Sequence, residues 1–315
     1  MDKLKDNKIP QNQGNNLTSD ANIDAVDMLR LRYWQHLINE MLKRKQFKIP
    51  IHLAFGHEAV AVALDRCVEP DDAICLTHRN IAYNLARLRS LDSILGHYRL
   101  ISTPVQPGLM GSMNLAAEHT SIAYTSSVLG NNLPVAMGIA MNRKLAGRSG
   151  VVFVLTGDGA MEEGAFWETC LFARSHHLGL VIIVENNNYS MSSTIDQRRS
   201  GIDLAQVCSG VGLRYHHAKG AIFADTKRAI SAARVDAASG NPACIELELT
   251  TFNQHAGPTP GWPGDSLHIA LDDGLLVKDS PEDPIYHIRQ ALGAAMFERL
   301  VNQIMKADCS DKYLH

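Results

Sequence analysis

The sequence contains no cysteine pair at close spacing: Cys67, Cys75, Cys170, Cys208, Cys244 and Cys309 are scattered through 315 residues. That argues against a disulfide scaffold or a CxxC metal site and leaves reduced thiols in or near a core as the expectation. No long Lys/Arg cluster is present either. With 30 basic and 33 acidic residues the net charge is −3, so no nucleic acid and no anionic membrane surface is expected as a partner, and a small-molecule substrate is the default. No apolar run reaches the length of a membrane-spanning helix, and the amino terminus has no apolar signal region, so a cytoplasmic location is expected. The length suits one large α/β domain with appendages or two small domains. One is the expectation, residues 21–315, preceded by a mobile tail over residues 1–20 that is polar, Asn-rich and poor in large apolar side chains.

What is there begins with an amphipathic helix from Ala21 to about Lys45, capped by Thr18, Ser19 or Asp20. It could cover the sheet or a partner subunit. Gly56-His57-Glu58-Ala59 opens an apolar helix to about Val68. Ala73 to Leu76 reads as a short strand, with Thr77-His78-Arg79 emerging at its end. An arginine there is placed to fork onto a phosphate, or it forms an ordinary surface ion pair. Pro107-Gly108 makes a flexible approach to Leu109-Met110-Gly111-Ser112-Met113. From Pro134 to Leu145 a helix carries Ala136, Gly138 and Ala140 as one small-residue packing face. A short helix follows Leu204, Gly212 to Tyr215 register poorly on periodicity, Thr226 to Ala238 read as helix, and Ala243 to Leu249 as a strand. The Pro/Gly-rich TTFNQHAGPTPGWPGD reads as a loop bearing His255. Asp283-Pro284 then starts a helix to about Met305.

The centre of the chain is VVFVLTGDGAMEEGAFWETCLFARSHHLGLVIIVENNNYS, Val151 to Ser190. Val151 to Leu155 and Leu180 to Val184 are β-branched runs that read as buried strands. Phe166, Cys170, Leu171, Ala173 and Arg174 between them fall at helical spacing, with Glu162 and Glu163 at the favourable end of the helix dipole. Strands joined by one crossover helix lie parallel, so the fold class is α/β, a mainly parallel sheet with helices on both faces. Gly157-Asp158-Gly159 and Asn186-Asn187 then share the carboxyl edge, where open α/β sheets bind ligands. Asp158 and the Asn187 carbonyl can converge on one hard cation, Mg²⁺ by donor type. The glycines admit a diphosphate to the backbone, and amides opening the following helix supply donors. Taken singly, Asp-Gly and Asn-Asn are ordinary turn signals; a two-residue hairpin cannot accommodate the helix between them.

GDGAMEEGAFWETCLFARSHHLGLVIIVENNNYSMS resembles the GDG…NN thiamin motif of α subunits of the E1 component of 2-oxo acid dehydrogenase complexes, including pyruvate and acetoin dehydrogenases. The GDG-A-x-x-x-G opening, Glu168 and the ENN-x-Y ending match. HLAFGHEA is similar to H-L-x-x-G-Q-E-A, and the L-T-H-R run to T-H-R-G-H-G. The resemblance covers about Ala21 to Met305 and implies a transketolase-like diphosphate-binding fold with thiamin diphosphate and Mg²⁺. It implies Asp158, Asn187 and the main-chain carbonyl of Tyr189 on the metal, with Gly157, Gly159, Ala160, His78 and Arg79 around the diphosphate. It also implies His52 near substrate, Leu129 beneath the cofactor and His255 on a closing loop. By residue type alone, Leu129 could equally be a core leucine and His255 a solvated loop histidine.

Thiamin chemistry needs a carboxylate that activates the aminopyrimidine. In the resembled family this glutamate comes from a β-type subunit, and Glu58, which matches the α subunit's own G-Q-E-A element, is not its replacement. The resemblance therefore implies an obligate β-type partner in an α₂β₂ heterotetramer, decarboxylation of a 2-oxo acid or acetoin cleavage (EC 1.2.4.-), and transfer to a lipoyl-bearing E2. Three departures bear on specificity and transfer: Ile81 replaces the second histidine of H-R-G-H-G, Asn114 the histidine of G-G-S-M-H, and Asn253 the arginine of T-Y-R. A transketolase-like or biosynthetic thiamin enzyme without E2, and an inactive partner-binding paralogue, are the alternatives.

Overall fold

The computed structural model describes residues 20–100, 112–118, 120–256, 258, 268–308 and 311–314. Residues 1–19 of the tail expected over 1–20, the Pro107 to Gly111 approach, most of the Pro/Gly-rich loop after Ala256, and Cys309 lie outside them, while Asp20 is the first residue of a helix.

Chain order is α1 (Asp20–Lys43), α2 (Glu58–Cys67), β1 (Ala73–Leu76), α3 (Ile81–Leu88), α4 (Leu91–Tyr98), β2 (Ile122–Thr125), α5 (Asn132–Leu145) and β3 (Val152–Gly157). There follow α6 (Gly164–Ser175), β4 (Leu180–Asn186), the small strands β5 (Tyr189–Ser190) and β6 (Ser193–Thr194), α7 (Ile195–Arg198), α8 (Leu204–Val211) and β7 (Arg214–Lys219). The chain closes with α9 (Phe223–Ala238), β8 (Ala243–Glu248), α10 (Pro284–Leu292), α11 (Ala294–Ala307) and α12 (Asp311–Leu314).

Six strands form one parallel sheet in the order β2-β1-β3-β4-β8-β7. The expected pair β3 and β4 are direct neighbours, Val152 to Gly157 in register with Leu180 to Glu185. Both faces of the sheet are covered, which is why its central strands are continuously apolar rather than alternating. Ile74, Leu76, Phe153, Leu155, Val181, Ile183, Ile245 and Leu247 face a core shared with α1, α2, α3, α9, α10 and α11. Ala73, Cys75, Val152, Val154, Ile182, Val184 and Cys244 face the opposite core, built with α5, α6 and α8. The period-2 alternation of side chains across each strand divides the two cores.

Several expectations are corrected. Helix α1 packs on α2, α3, α10 and α11, a second helical layer rather than a direct cover for the sheet. Gly138 is exposed with no atom near its hydrogen face, so the packing face of α5 is built on buried Leu133, Ala136 and Ala140, with Met137, Ile139 and Met141 partly buried beside them. Leu171 is exposed and does not belong to the buried face of α6. The weakly periodic stretch after Gly212 is the edge strand β7, whose mixed burial follows from having one neighbour only. The carboxy-terminal helix is two helices, broken at Gly293 with φ +74°, a backbone angle that favours glycine. Asp283 caps the first of them through its side chain, accepting from the Ile285 amide.

The chain leaves β1 toward β2 on one side and returns to β3 on the other. The strand order reverses there, and a crevice opens beyond the carboxyl ends of β1 and β3.

Candidate active site

That crevice is a cavity of about 340 Å³, within the size range of small-molecule sites. The positions expected to touch metal, cofactor or substrate all lie on its wall. Thr77, His78 and Arg79 come from the end of β1, Leu129 from the turn after β2, and Gly157, Asp158, Gly159 and Ala160 from the end of β3. Asn187 and Tyr189 follow β4, His255 follows β8, and His52 comes from the segment between α1 and α2. Glu168 is exposed on α6 and does not line it.

Gly157 is extended, at φ −96° and ψ 166°, and the next five residues, Asp158–Glu162, form a 3₁₀ turn before α6 begins. The amides beside the cavity are thus those of this turn, not of α6 as expected. Gly159 packs so closely that an added Cβ would stand 2.5 Å from Ser190 Oγ. At Gly157 no atom lies within 4 Å of that position. One glycine is required by packing against β5, the other leaves backbone open.

Asp158 is 1% exposed. Burial raises its carboxyl above the usual range, opposed by Arg198 and by the Gly159 amide. Arg198 Nη2 donates to Asp158 Oδ2 at 2.9 Å and also pairs with Glu162. Asn187 donates through Nδ2 to Thr251 Oγ1 at 2.8 Å, while its Oδ1 accepts the Tyr189 amide at 3.1 Å. An acid and an amide oxygen on adjacent strand tips are a donor set for a hard divalent cation with water or phosphate oxygens completing the shell.

Arg79 is buried, and its guanidinium donates to the carbonyl oxygens of Leu53 and His255. A cation on the wall stitches together the segments that bear His52 and His255. Those two rings and His78 cluster, with centroids 4.7 to 5.0 Å apart. Burial, reinforced by the charge of Arg79, lowers His52 to about 3, His78 to about 2 and His255 to about 4. All three imidazoles are neutral near pH 7.

Leu129 is 50% exposed at the mouth, so the core-leucine alternative does not hold; His255 is half-buried against His52, so neither does the solvated-loop alternative. Glu58 lies outside the cavity, fully buried with both oxygens engaged by Arg32 at 2.7 and 2.9 Å. The three departures have structural partners. Ile81 is a core side chain, Asn114 Oδ1 accepts the Ser127 amide at 3.1 Å, and Asn253 bonds Phe55 N and Leu53 O.

Sequence reasoning missed His57, Glu185, Thr251 and Arg198. His57 Nδ1 is 2.8 Å from Glu185 Oε1, which also accepts from Tyr83 Oη. Charged groups in an otherwise apolar strand, as at Glu185, are the one signal that could have pointed to them.

A parallel α/β sheet with its cavity at the point of strand-order reversal defines a ligand-binding α/β protein of the doubly wound class. The family profile described as dehydrogenase E1 component matches residues 27–257, and the chain belongs to that family. It is similar to the mitochondrial pyruvate dehydrogenase E1 component subunit alpha of Dictyostelium discoideum, 25% identical over 273 residues, covering 85% of this chain and 69% of that protein. The corresponding subunit of Rickettsia bellii is 24% identical over 267 residues, covering 84% and 80%. The mitochondrial alpha-2 subunit of Arabidopsis thaliana is 25% identical over 266 residues, covering 84% of this chain and 66% of its own length. A solved structure from Mycobacterium smegmatis aligns at a TM-score of 0.42 and 17% identity over 65% of this chain and 33% of its own, a likeness too weak to carry an argument. Among the described residues no helix is long and apolar enough to cross a membrane.

Proposed function

We propose that this chain is the α-type subunit of a thiamin diphosphate-dependent 2-oxo acid dehydrogenase. The observation that carries the reading is that Asp158, Asn187 and Arg79, from three different strand ends, line one cavity. Asp158, the Asn187 side-chain carbonyl and the Tyr189 main-chain carbonyl would hold Mg²⁺. Gly157, Gly159 and Ala160, together with His78 and Arg79, would hold the diphosphate, and Leu129 would contact the thiamin rings. A buried carboxylate whose ionisation burial opposes is the group a dication stabilises.

When bound, thiamin diphosphate supplies the electron sink for loss of CO₂ from a 2-oxo acid. The chain's own histidines do the polar work at substrate. His52 Nδ1 is buried without a hydrogen-bond partner among the described residues. Being neutral, His52 and His255 either donate a hydrogen bond to a substrate oxygen or take up a proton. No carboxylate of the described cavity other than Asp158 and Glu185 is present; the first is assigned to metal and the second is bonded to His57 and Tyr83. That supports a β-type subunit as the source of the activating glutamate, in an α₂β₂ assembly, with a lipoyl-bearing E2 as acceptor.

The test is co-expression with a β-type subunit, titration with thiamin diphosphate and Mg²⁺, and assay against a panel of 2-oxo acids with lipoamide. Metal-dependent cofactor binding lost in Asp158→Ala, with 2-oxo acid turnover, is expected. Turnover of sugars or aldehydes without lipoamide would select the transketolase-like alternative, and cofactor binding unchanged in Asp158→Ala rejects the metal assignment.

A further inference from the structure

The same cavity contains a second donor set of different chemistry. His52, His78 and His255 each offer one ring nitrogen, and the three nitrogens lie within 4.8 Å of one another. We propose that these imidazoles form a site for a borderline divalent cation, Zn²⁺ or Co²⁺, distinct from the oxygen site at Asp158 and Asn187.

Three protein nitrogens around one open position is the ligand arrangement of non-structural zinc sites. Zinc–nitrogen bonds of about 2.0–2.1 Å place tetrahedral ligand atoms roughly 3.3 Å apart. The present spacing therefore closes with shifts on the order of 1 Å, which small side-chain rotations supply. His52 Nδ1 and His78 Nε2 are buried and accept no hydrogen bond among the described residues. A buried polar atom without a partner costs free energy that coordination recovers. The rings are also in the neutral form that a metal requires.

Donor chemistry separates the two sites. Carboxylate and carbonyl oxygens select Mg²⁺, whereas imidazole suits Zn²⁺ and Co²⁺. Arg79 sets a further condition, because its positive charge already disfavours protonation of all three rings. A dication beside it is favoured when the fourth ligand is an anion, so hydroxide, chloride or a carboxylate belongs in the open position facing the cavity. The triad would then hold the metal together with its anion, a complex of net charge +1 rather than the +2 of a bare aqua ion. The site uses the residues that the thiamin reading gives to diphosphate and substrate, so it belongs to the chain without thiamin diphosphate, and its donors are nitrogens whether or not that reading holds.

The test uses the full chain, stripped by chelation and titrated with Co²⁺ without thiamin diphosphate. One equivalent giving the intense visible absorption of a tetrahedral nitrogen site, displaced by Zn²⁺ and erased by chelator, is expected. His52→Gln, His78→Gln and His255→Gln should each weaken binding by more than the roughly 10–100-fold that losing a supporting contact costs. Asp158→Ala should leave it unchanged. Weak octahedral absorption only, or binding lost in Asp158→Ala but kept in the histidine variants, overturns the proposal. The spectrum of the unsubstituted protein decides the matter even if a histidine variant fails to fold. Failure here leaves the Mg²⁺ titration of Asp158 untouched, so the two readings fall separately.

Discussion

His57 Nδ1 stands 2.8 Å from Glu185 Oε1, and the far side of the same ring, Nε2, stands 2.8 Å from Thr251 Oγ1. Thr251 Oγ1 in turn accepts from Asn187 Nδ2. His57 thus links Glu185 to Thr251, and the chain of bonds holds the Asn187 amide nitrogen on Thr251, away from the proposed metal position. Thr251→Val breaks this chain without touching the cavity's ligands. Mg²⁺ affinity in the presence of thiamin diphosphate should fall roughly 10–100-fold, with Thr251→Ser restoring it. Equal affinity in Thr251→Val, measured by calorimetry, would show that Asn187 needs no such support.

The two glycines flanking Asp158 should separate packing from binding. In Gly159→Ala the new Cβ meets Ser190, and overpacking of this kind costs about 1–3 kcal/mol. Gly157 has a backbone angle any residue adopts and open space before it. Gly157→Ala should fold with little change in melting temperature yet bind thiamin diphosphate more weakly. The discriminating readout is the pair of measurements, thermal melting against cofactor titration; the reverse pattern contradicts both assignments.

The histidine cluster makes stability pH-dependent in a stated direction. The folded-state values of about 3, 2 and 4 for His52, His78 and His255 lie below 6.5, the ordinary histidine value. Between those limits the unfolded chain binds more protons, so stability is fully present above about pH 6.5 and declines as pH falls toward 4 and below. His36, fully buried and likewise lowered, adds to the trend. Denaturant midpoints from pH 7 to pH 4 should show a shallower decline in His52→Gln than in the unsubstituted chain. Parallel slopes for the two proteins would contradict the lowered value of His52.

Arg32 holds two buried carboxylates, Glu58 and Asp283, all three side chains being fully inaccessible. Glu58 also accepts from Gln35 and the Gly56 amide. Arg32→Ala leaves two buried charges without their cation, a loss of about 3–5 kcal/mol. Urea unfolding of Arg32→Ala measures it, and a change below 1 kcal/mol, roughly the worth of a surface pair, would mean water reaches the cluster. Gln35 bonds both Glu58 and the Ala54 carbonyl, two residues from His52, so a weakened cofactor affinity is expected with the lost stability.

The strands β1, β3 and β4, their parallel sense and the shared edge of Asp158 and Asn187 were legible because a buried parallel strand is a continuous apolar run and its loop residues are glycine, aspartate and asparagine. Strand β7 was not legible, since an edge strand with half its side chains in solvent has no strong period. The break at Gly293 was missed for a similar reason, because a helical pattern continues on both sides of it.

The sequence by itself determined the strand-helix-strand unit, the acid and amide at its strand tips and the capping of α10 by Asp283. These are local matters of period, turn chemistry and chain direction. Only the tertiary structure decided that His52, His78 and His255, far apart in the chain, share one wall. It alone decided that Glu58 is spent on Arg32, that Arg198 pairs with Asp158, and that Glu185 and His57 brace Asn187. Each of these depends on which loops the six-stranded order brings to the same crevice, and strand order is set by how two helical layers pack, not by any residue's own preference.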